Sequence, residues 1–338
     1  MPLRLYVVVK RNTQWLHLTN PKTPTFNEVG VLRYTRAITD KGSGNMHYIK
    51  KENAIYAMDK YNVPVCKVNS GETITFEAYD CFTNQLTDVS SFTALDWDKI
   101  NPATGPVYVT DAEPGDILAV HIKELAIGDT VTMVTGPNMG VLGDELTDTT
   151  FKRFSIEDNH IQFTEAIKIP LNKMIGVIGT APVGEAISCG TPDAHGGNMD
   201  CKEITEGTTL YLPVNVDGAL LAMGDCHAAM GDGEVSVCGG EVPCEITVTV
   251  EVIKGKKWPT PFYIKDGEIN TLSSQKTLDA ASVEATKHMV DFVVRYSDLT
   301  KGEAAHLLSL VGNLRICQVV DPNKTVRMAL PLSYLPKW

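Results

Sequence analysis

Two short stretches of the chain concentrate side chains able to hold a metal ion or move a proton. One is Asp193-Ala-His195-Gly-Gly-Asn198-Met-Asp200-Cys201-Lys202-Glu203; the other is Gly224-Asp225-Cys226-His227-Ala-Ala-Met-Gly-Asp232-Gly-Glu234. Glycine lets backbone take positive φ and approach a ligand without a Cβ in the way. Asp and His two apart on extended chain project to one side, so Asp193 with His195, and Asp225 with His227, can each offer two ligands. Imidazole nitrogen with carboxylate oxygen suits zinc or another first-row divalent ion. A remaining carboxylate such as Glu234 then has the chemistry of a general base on a metal-bound water.

Two other readings compete. Asp and Gly clusters are also ordinary turn chemistry, and a loop His is usually just solvated or hydrogen-bonded. The spacing matches no helical His-Glu-x-x-His signature. Cys201, Lys202 and Glu203 bring together the residue types of a thiol-dependent amidase, in which a lysine lowers the thiol pKa. Sequence neighbours alternate faces on a strand, however, so these three cannot converge from one.

The scaffold that must present these residues shows period-two alternation. In Gly71–Asp80, Ile74, Phe76 and Ala78 face one way while Thr73, Thr75, Glu77 and Tyr79 face the other. Leu118, Val120 and Ile122 repeat the pattern, as do Ile246, Val248, Val250 and Val252. Further strands are expected at 161–164, 174–180, 208–214 and 326–330, separated by Gly/Pro turns such as Glu113-Pro-Gly-Asp116. Helical spacing comes late: Ala281, Ala285, Met289, Phe292 and Tyr296 share one face over 279–296. A second helix opens on the capping box Thr300-Lys-Gly-Glu303, giving a helical pair over about 279–312.

The chain has 338 residues and a net charge of −11, which disfavours a nucleic-acid partner because phosphate binding needs a basic surface. No run of about 18 apolar residues exists to span a bilayer as a helix, and the cytosol is the expected compartment. The eight cysteines include no Cys-x-x-Cys, and reduced thiols are expected. Residues 1–45 differ from the rest, with seven Lys/Arg against two acids, and end in the linker-like Lys41-Gly-Ser-Gly-Asn45. They read as an extension outside the core, with Met46 as the expected start and 46–338 as the catalytic unit.

Several motifs carry a family resemblance. His195-Gly-Gly-Asn-Met-Asp200, Leu210-Tyr-Leu-Pro-Val214 and Gly224–Glu234 resemble core motifs of the acetamidase/formamidase family. Asn101-Pro-Ala-Thr-Gly-Pro-Val-Tyr-Val109, Ala112–Val120, Gly71–Asp80 and Leu314–Pro322 extend the resemblance in order along the chain. It implies hydrolysis of formamide or acetamide to ammonia and the carboxylate. It also implies a mainly β fold: a jelly-roll-like sandwich, a barrel-like part and a C-terminal α/β portion. A divalent metal is implied as well, with zinc expected and calcium the alternative. On this reading Asp193, His195, Asp225 and His227 hold the ion, with Asp80 as a further ligand from another strand. Glu234, Asn198 and Asp200 are the catalytic candidates, and Asn198 or the N–H groups of Gly196 and Gly197 would hold the substrate oxygen. The small amide is the expected partner, with a homodimer or larger closed assembly and no membrane or nucleic acid. A metal- or ligand-binding β-sandwich without turnover is the non-enzyme alternative.

Overall fold

The computed structural model describes residues 7–11, 14–18 and 47–338. The chain divides into two units, Met1–Ser43 and Gly44–Trp338. In the first, Val7–Arg11 pairs antiparallel with Gln14–Leu18. The expectations for the remainder of 1–45 and for a start at Met46 lie outside the described residues.

The second unit is built on two large sheets. The alternating segments form the nine-stranded one, whose centre runs Thr209–Pro213, Ile117–Ile127, Cys244–Ile253, Thr73–Ala78. Ile74, Phe76, Leu118, Val120, Ile246, Val248 and Val250 all point from it into one buried cluster, as the period-two pattern requires. The eleven-stranded sheet covers that cluster with Ile175, Ile178, Leu221 and Met223, so the core lies between the sheets. Neither sheet closes on itself; the barrel-like part is an open sheet. The body is thus mainly β with helices gathered late.

Helix α1 is the single turn Val89–Phe92, capped by Asp88, whose carboxylate accepts from Ser91 N–H at 3.0 Å. Helices α2 (Leu278–Tyr296) and α3 (Lys301–Val311) start where their caps predict. Thr277 accepts from Ala280 N–H, and Thr300 and Glu303 form the reciprocal capping box. Such a cap is worth about 1 kcal/mol. The pair packs Ala281, Ala285, Met289, Phe292 and Leu308 against Phe262, Ile269, Val326 and Leu330 of the nine-stranded sheet, forming a second core.

Strand Leu221–His227 matters most for position. It is buried along its whole length, paired on one side with Met174–Gly179 and on the other with Ala103–Val109 and then Glu241–Val242. A strand enclosed on both edges and faces is among the most rigid platforms a fold offers. Among the described residues no helix is long and apolar enough to cross a membrane. All eight cysteines are free, as expected.

Candidate active site

Asp225 and His227 close the end of strand Leu221–His227, and sheet register sets Glu241 directly opposite His227. His227 Nε2 lies 3.1 Å from Glu241 Oε1 and 3.5 Å from Asp225 Oδ1. Two loops bring Asp200 and Glu234 to the same place. Asp200, His227 and Glu234 each offer a ligand atom within 4.8 Å of the others', and so do Cys81, Asp225 and Glu241. All six residues are buried.

Glycines make this density possible at two points. A Cβ at Gly176, on the neighbouring strand, would fall 2.5 Å from Asp200 Oδ1 and 2.7 Å from Asp225 Oδ2. A Cβ at Gly239 would fall 2.3 Å from His227 Nδ1. Three of the acids, Asp200 (φ 41), Asp225 (φ 53) and Glu234 (φ 48), adopt the left-handed backbone region that L residues avoid. Such strain costs about 1–3 kcal/mol a residue and persists where surrounding structure enforces it.

The enforcement is visible for the Glu234 loop. Gly233 bridges in parallel to Gln318, with its N–H donating to Cys317 O at 2.8 Å and its O accepting from Val319 N–H at 3.1 Å. Asp232 takes both Arg327 terminal nitrogens at 2.9 Å, and Lys202 adds a contact at 3.2 Å. Gln318 Oε1 accepts from the N–H groups of Val320 and Asp321, which shapes the turn that carries Asp321 to the site.

The charge is not balanced within the cluster. Both oxygens of Asp200, Oε2 of Glu234, Oε2 of Glu241, Nδ1 of His227 and Oδ1 of Asn198 are buried with no hydrogen-bond partner. Each such group costs about 1–3 kcal/mol when left unmet. Burial, then the neighbouring Asp225, pushes the Asp200 carboxyl up to about 6. Burial likewise carries Glu241 to about 7, with Asp225 adding to it and His227 opposing. Glu234 is raised well above the carboxylate range by burial and by Asp200, and Asp321 by the same two causes. Burial works against a charged His227, but Glu241 and Asp225 more than offset it and raise the imidazole. Orphaned carboxylate oxygens around one imidazole are the donor set a divalent cation neutralises.

Part of this cluster lines a cavity of about 330 Å3, to which Cys81, Asn198, Asp225, Glu234, Glu241 and Asp321 contribute polar groups, whereas Asp200 and His227 are not in its lining. The segments read from sequence therefore supply Asn198, Asp200, Asp225, His227 and Glu234 to one centre. Asp193, His195 and Asp80 belong to neither ligand group. Asp193 turns back, accepting from Gly196 N–H at 3.0 Å and from Ala194 N–H at 2.6 Å. The Gly196 N–H is thus spent on the turn and not on a substrate oxygen. His195 is buried with both ring nitrogens unpartnered, and burial lowers it to about 4 against the charge of Asp193. Asp80 Oδ1 accepts from the N–H groups of Phe82 and Asn84, and the residue lines a separate cavity of about 200 Å3 with Arg153.

Glu241, Asp321 and Cys81 were not legible as site residues; their only signal is a charged or polar residue flanked by glycines or apolar strand. Cys201 sits in the core beside Cys317 and Arg327, away from the cavity lining. Burial raises its thiol, but the Cys317 hydrogen bond and Arg327 bring it below the usual value. Cys81 does reach the cavity, but burial and the charges of Glu241 and Asp225 keep its thiol protonated. Cys226 points into the core.

The sequence profile of the Acetamidase/Formamidase family matches residues 59–189 and 184–335. The crystal structure of an acetamidase from Bacillus halodurans superposes with a TM-score of 0.84 at 46% identity, covering 85% of this chain and 98% of that one. An acetamidase structure from Yersinia enterocolitica gives 0.80 at 27% identity, over 87% and 94%. Curated relatives align over less: 61% of a Schizosaccharomyces pombe protein at 25% identity, covering 55% of this chain. The Mycolicibacterium smegmatis acetamidase is 45% identical over 65 residues, 19% of this chain and 16% of that protein. Matched by the family profile over most of its length and by a solved relative over 85% of it, the chain belongs to the Acetamidase/Formamidase family.

Proposed function

We propose that the chain hydrolyses the C–N bond of linear amides, the class of formamide and acetamide, releasing ammonia and the carboxylate. The observation that carries this reading is the set of buried, unpartnered carboxylate oxygens of Asp225, Glu234, Glu241 and Asp321, all of which line the 330 Å3 cavity. Family membership supplies the reaction class.

Asp200, Asp225, His227 and Glu241 are the residues we assign to holding a divalent ion, since Glu241 and Asp225 flank His227 and Asp200 meets Asp225 over Gly176, and zinc is the assignment this nitrogen and oxygen set favours. The chemistry such an ion would supply is polarisation of the amide carbonyl and a lowered pKa for water. Glu234 lines the cavity from its own loop with an unpartnered Oε2, which supports assigning it to take the proton of the attacking water. The same carboxyl then returns that proton to the nitrogen, since an amide nitrogen leaves only when protonated. Asn198, at the cavity wall, orients the amide through its side-chain amide. Burial of the whole floor excludes bulk water, which strengthens each of these contacts.

Ammonia release from formamide and acetamide, measured on metal-loaded protein, tests the reading. Absence of turnover on every amide offered would leave a metal-binding sandwich as the surviving description.

A further inference from the structure

The cavity is larger than the smallest amides need, and one of its sides is apolar. At the ~30 Å3 that a water claims in the liquid, 330 Å3 accommodates about eleven water-sized groups. Formamide has three heavy atoms and acetamide four. The apolar part of the lining consists of Phe82, Trp97, Ile100, Val134, Met139 and Val237. This wall has a core of its own: Cys81, Phe82, Leu86, Leu95, Val134 and Cys238 form a separate buried cluster, with Phe92, Ile100 and Met139 packed on it. A wall backed in this way keeps its shape instead of collapsing into the cavity.

Trp97 is the telling residue. It is 52% exposed, yet its ring lines the cavity and stands edge-on to Phe92 at 5.6 Å. The 3-10 turn Trp97–Lys99 that carries it is fixed by Asp96, whose carboxylate accepts from Asp98 N–H at 3.2 Å. A large aromatic ring held half in water at the edge of a polar-floored cavity is a surface for stacking a ligand.

We propose that the preferred substrate is a primary amide whose acyl group bears a bulky apolar substituent, a branched chain or an aromatic ring, seated against Phe82, Val134 and Trp97. The proposal rests on the amide-hydrolysis reading: the carboxamide meets the acids, and the substituent fills the apolar side. Formamide and acetamide are then poor substrates, because they leave that wall in contact with water.

Initial rates of ammonia release from formamide, acetamide, isobutyramide and benzamide decide the matter, using full-length metal-loaded protein. We expect kcat/KM for isobutyramide or benzamide to exceed that for formamide by tenfold or more, since each methylene fitted to an apolar pocket is worth about tenfold. Trp97→Ala should lower kcat/KM for the larger amide, mainly through KM, about tenfold more than it does for acetamide. Ile100→Trp, which narrows the same wall, should shift the ratio toward acetamide as well. Efficient turnover of formamide or acetamide with tenfold weaker turnover of both larger amides overturns the inference and leaves amide hydrolysis standing. A large-amide preference indifferent to both substitutions overturns the assignment to this wall. No ammonia from any of the four removes the underlying reading, and the inference with it.

Discussion

Replacing Gly176 by alanine should disable the site through geometry alone. The added Cβ would lie 2.5 Å from Asp200 Oδ1, 2.7 Å from Asp225 Oδ2 and 2.8 Å from the Asp225 carbonyl oxygen. Ordinary contact begins near 3.4 Å, so the Asp200 oxygen must retreat by about 0.9 Å and the Asp225 oxygen by about 0.7 Å. The third contact is backbone in a fully buried strand, so it cannot be relieved by rotating a side chain. Displacement of about 1 Å in a catalytic constellation costs about 100-fold in rate. The overpacking itself should cost about 1–3 kcal/mol of stability. Ammonia-release kinetics together with urea denaturation separate the two effects, because loss of stability at this level leaves the protein folded at 25 °C. Gly184→Ala is the control: its Cβ meets nothing within 4 Å, and it should change neither quantity measurably. A Gly176→Ala protein within threefold of the parent's kcat/KM and within 0.5 kcal/mol of its stability would show that the carboxylates do not converge across this strand.

Asp232→Ala should lower the free energy of unfolding by about 3 kcal/mol in urea titrations, because it strands the fully buried Arg327 without its bidentate partner. That difference has a pH signature. Burial raises the Asp232 carboxyl, but Arg327 and Lys202 outweigh it and hold it below the usual range. The pair's stabilisation is therefore complete above the unfolded value near 3.9 and is lost as pH falls through the depressed folded value, so parent and variant converge in acid. Glu234→Gln should reduce turnover by about 100- to 10,000-fold with an unchanged circular dichroism spectrum, as expected for loss of a proton carrier. Exhaustive chelation should abolish ammonia release and lower Tm, both restored by the ion, whereas iodoacetamide should leave turnover intact because Cys201 is buried in the core and burial holds the cavity thiol of Cys81 in its unreactive protonated form.

The scaffold was readable because single-faced strands write their burial into the sequence. Ile74, Phe76 and Ala78 alternate with Thr73, Thr75 and Glu77, and Thr300 with Glu303 marks a helix start. The candidate site was readable only where its residues are close in sequence. Asp225, His227 and Glu234 share one segment, whereas Glu241 joins them through antiparallel register with His227, and Asp321 through a turn shaped by Gln318. Long-range pairing of this kind leaves no local pattern. Asp225 and His227 do meet, at 3.5 Å, although Asp225 leaves extended chain for the left-handed region. The Asp193–Gly196 segment folds into a tight turn, and neither Asp193 nor His195 joins a ligand group.

The bridge between Gly233 and Gln318 ties chemistry to the order in which the chain is made. Residues from Cys81 to Asp321 must all be in place before the floor of the cavity exists, and the Glu234 loop has its anchors on strands Asn313–Gln318 and Lys324–Pro331. A nascent chain still inside the ribosome at that point has every acid of the central segment but lacks the Cys317, Val319 and Arg327 contacts that anchor the Glu234 loop. Turnover then reports completed synthesis and docking of the last strands, and in refolding it should return no earlier than the slowest of those long-range steps.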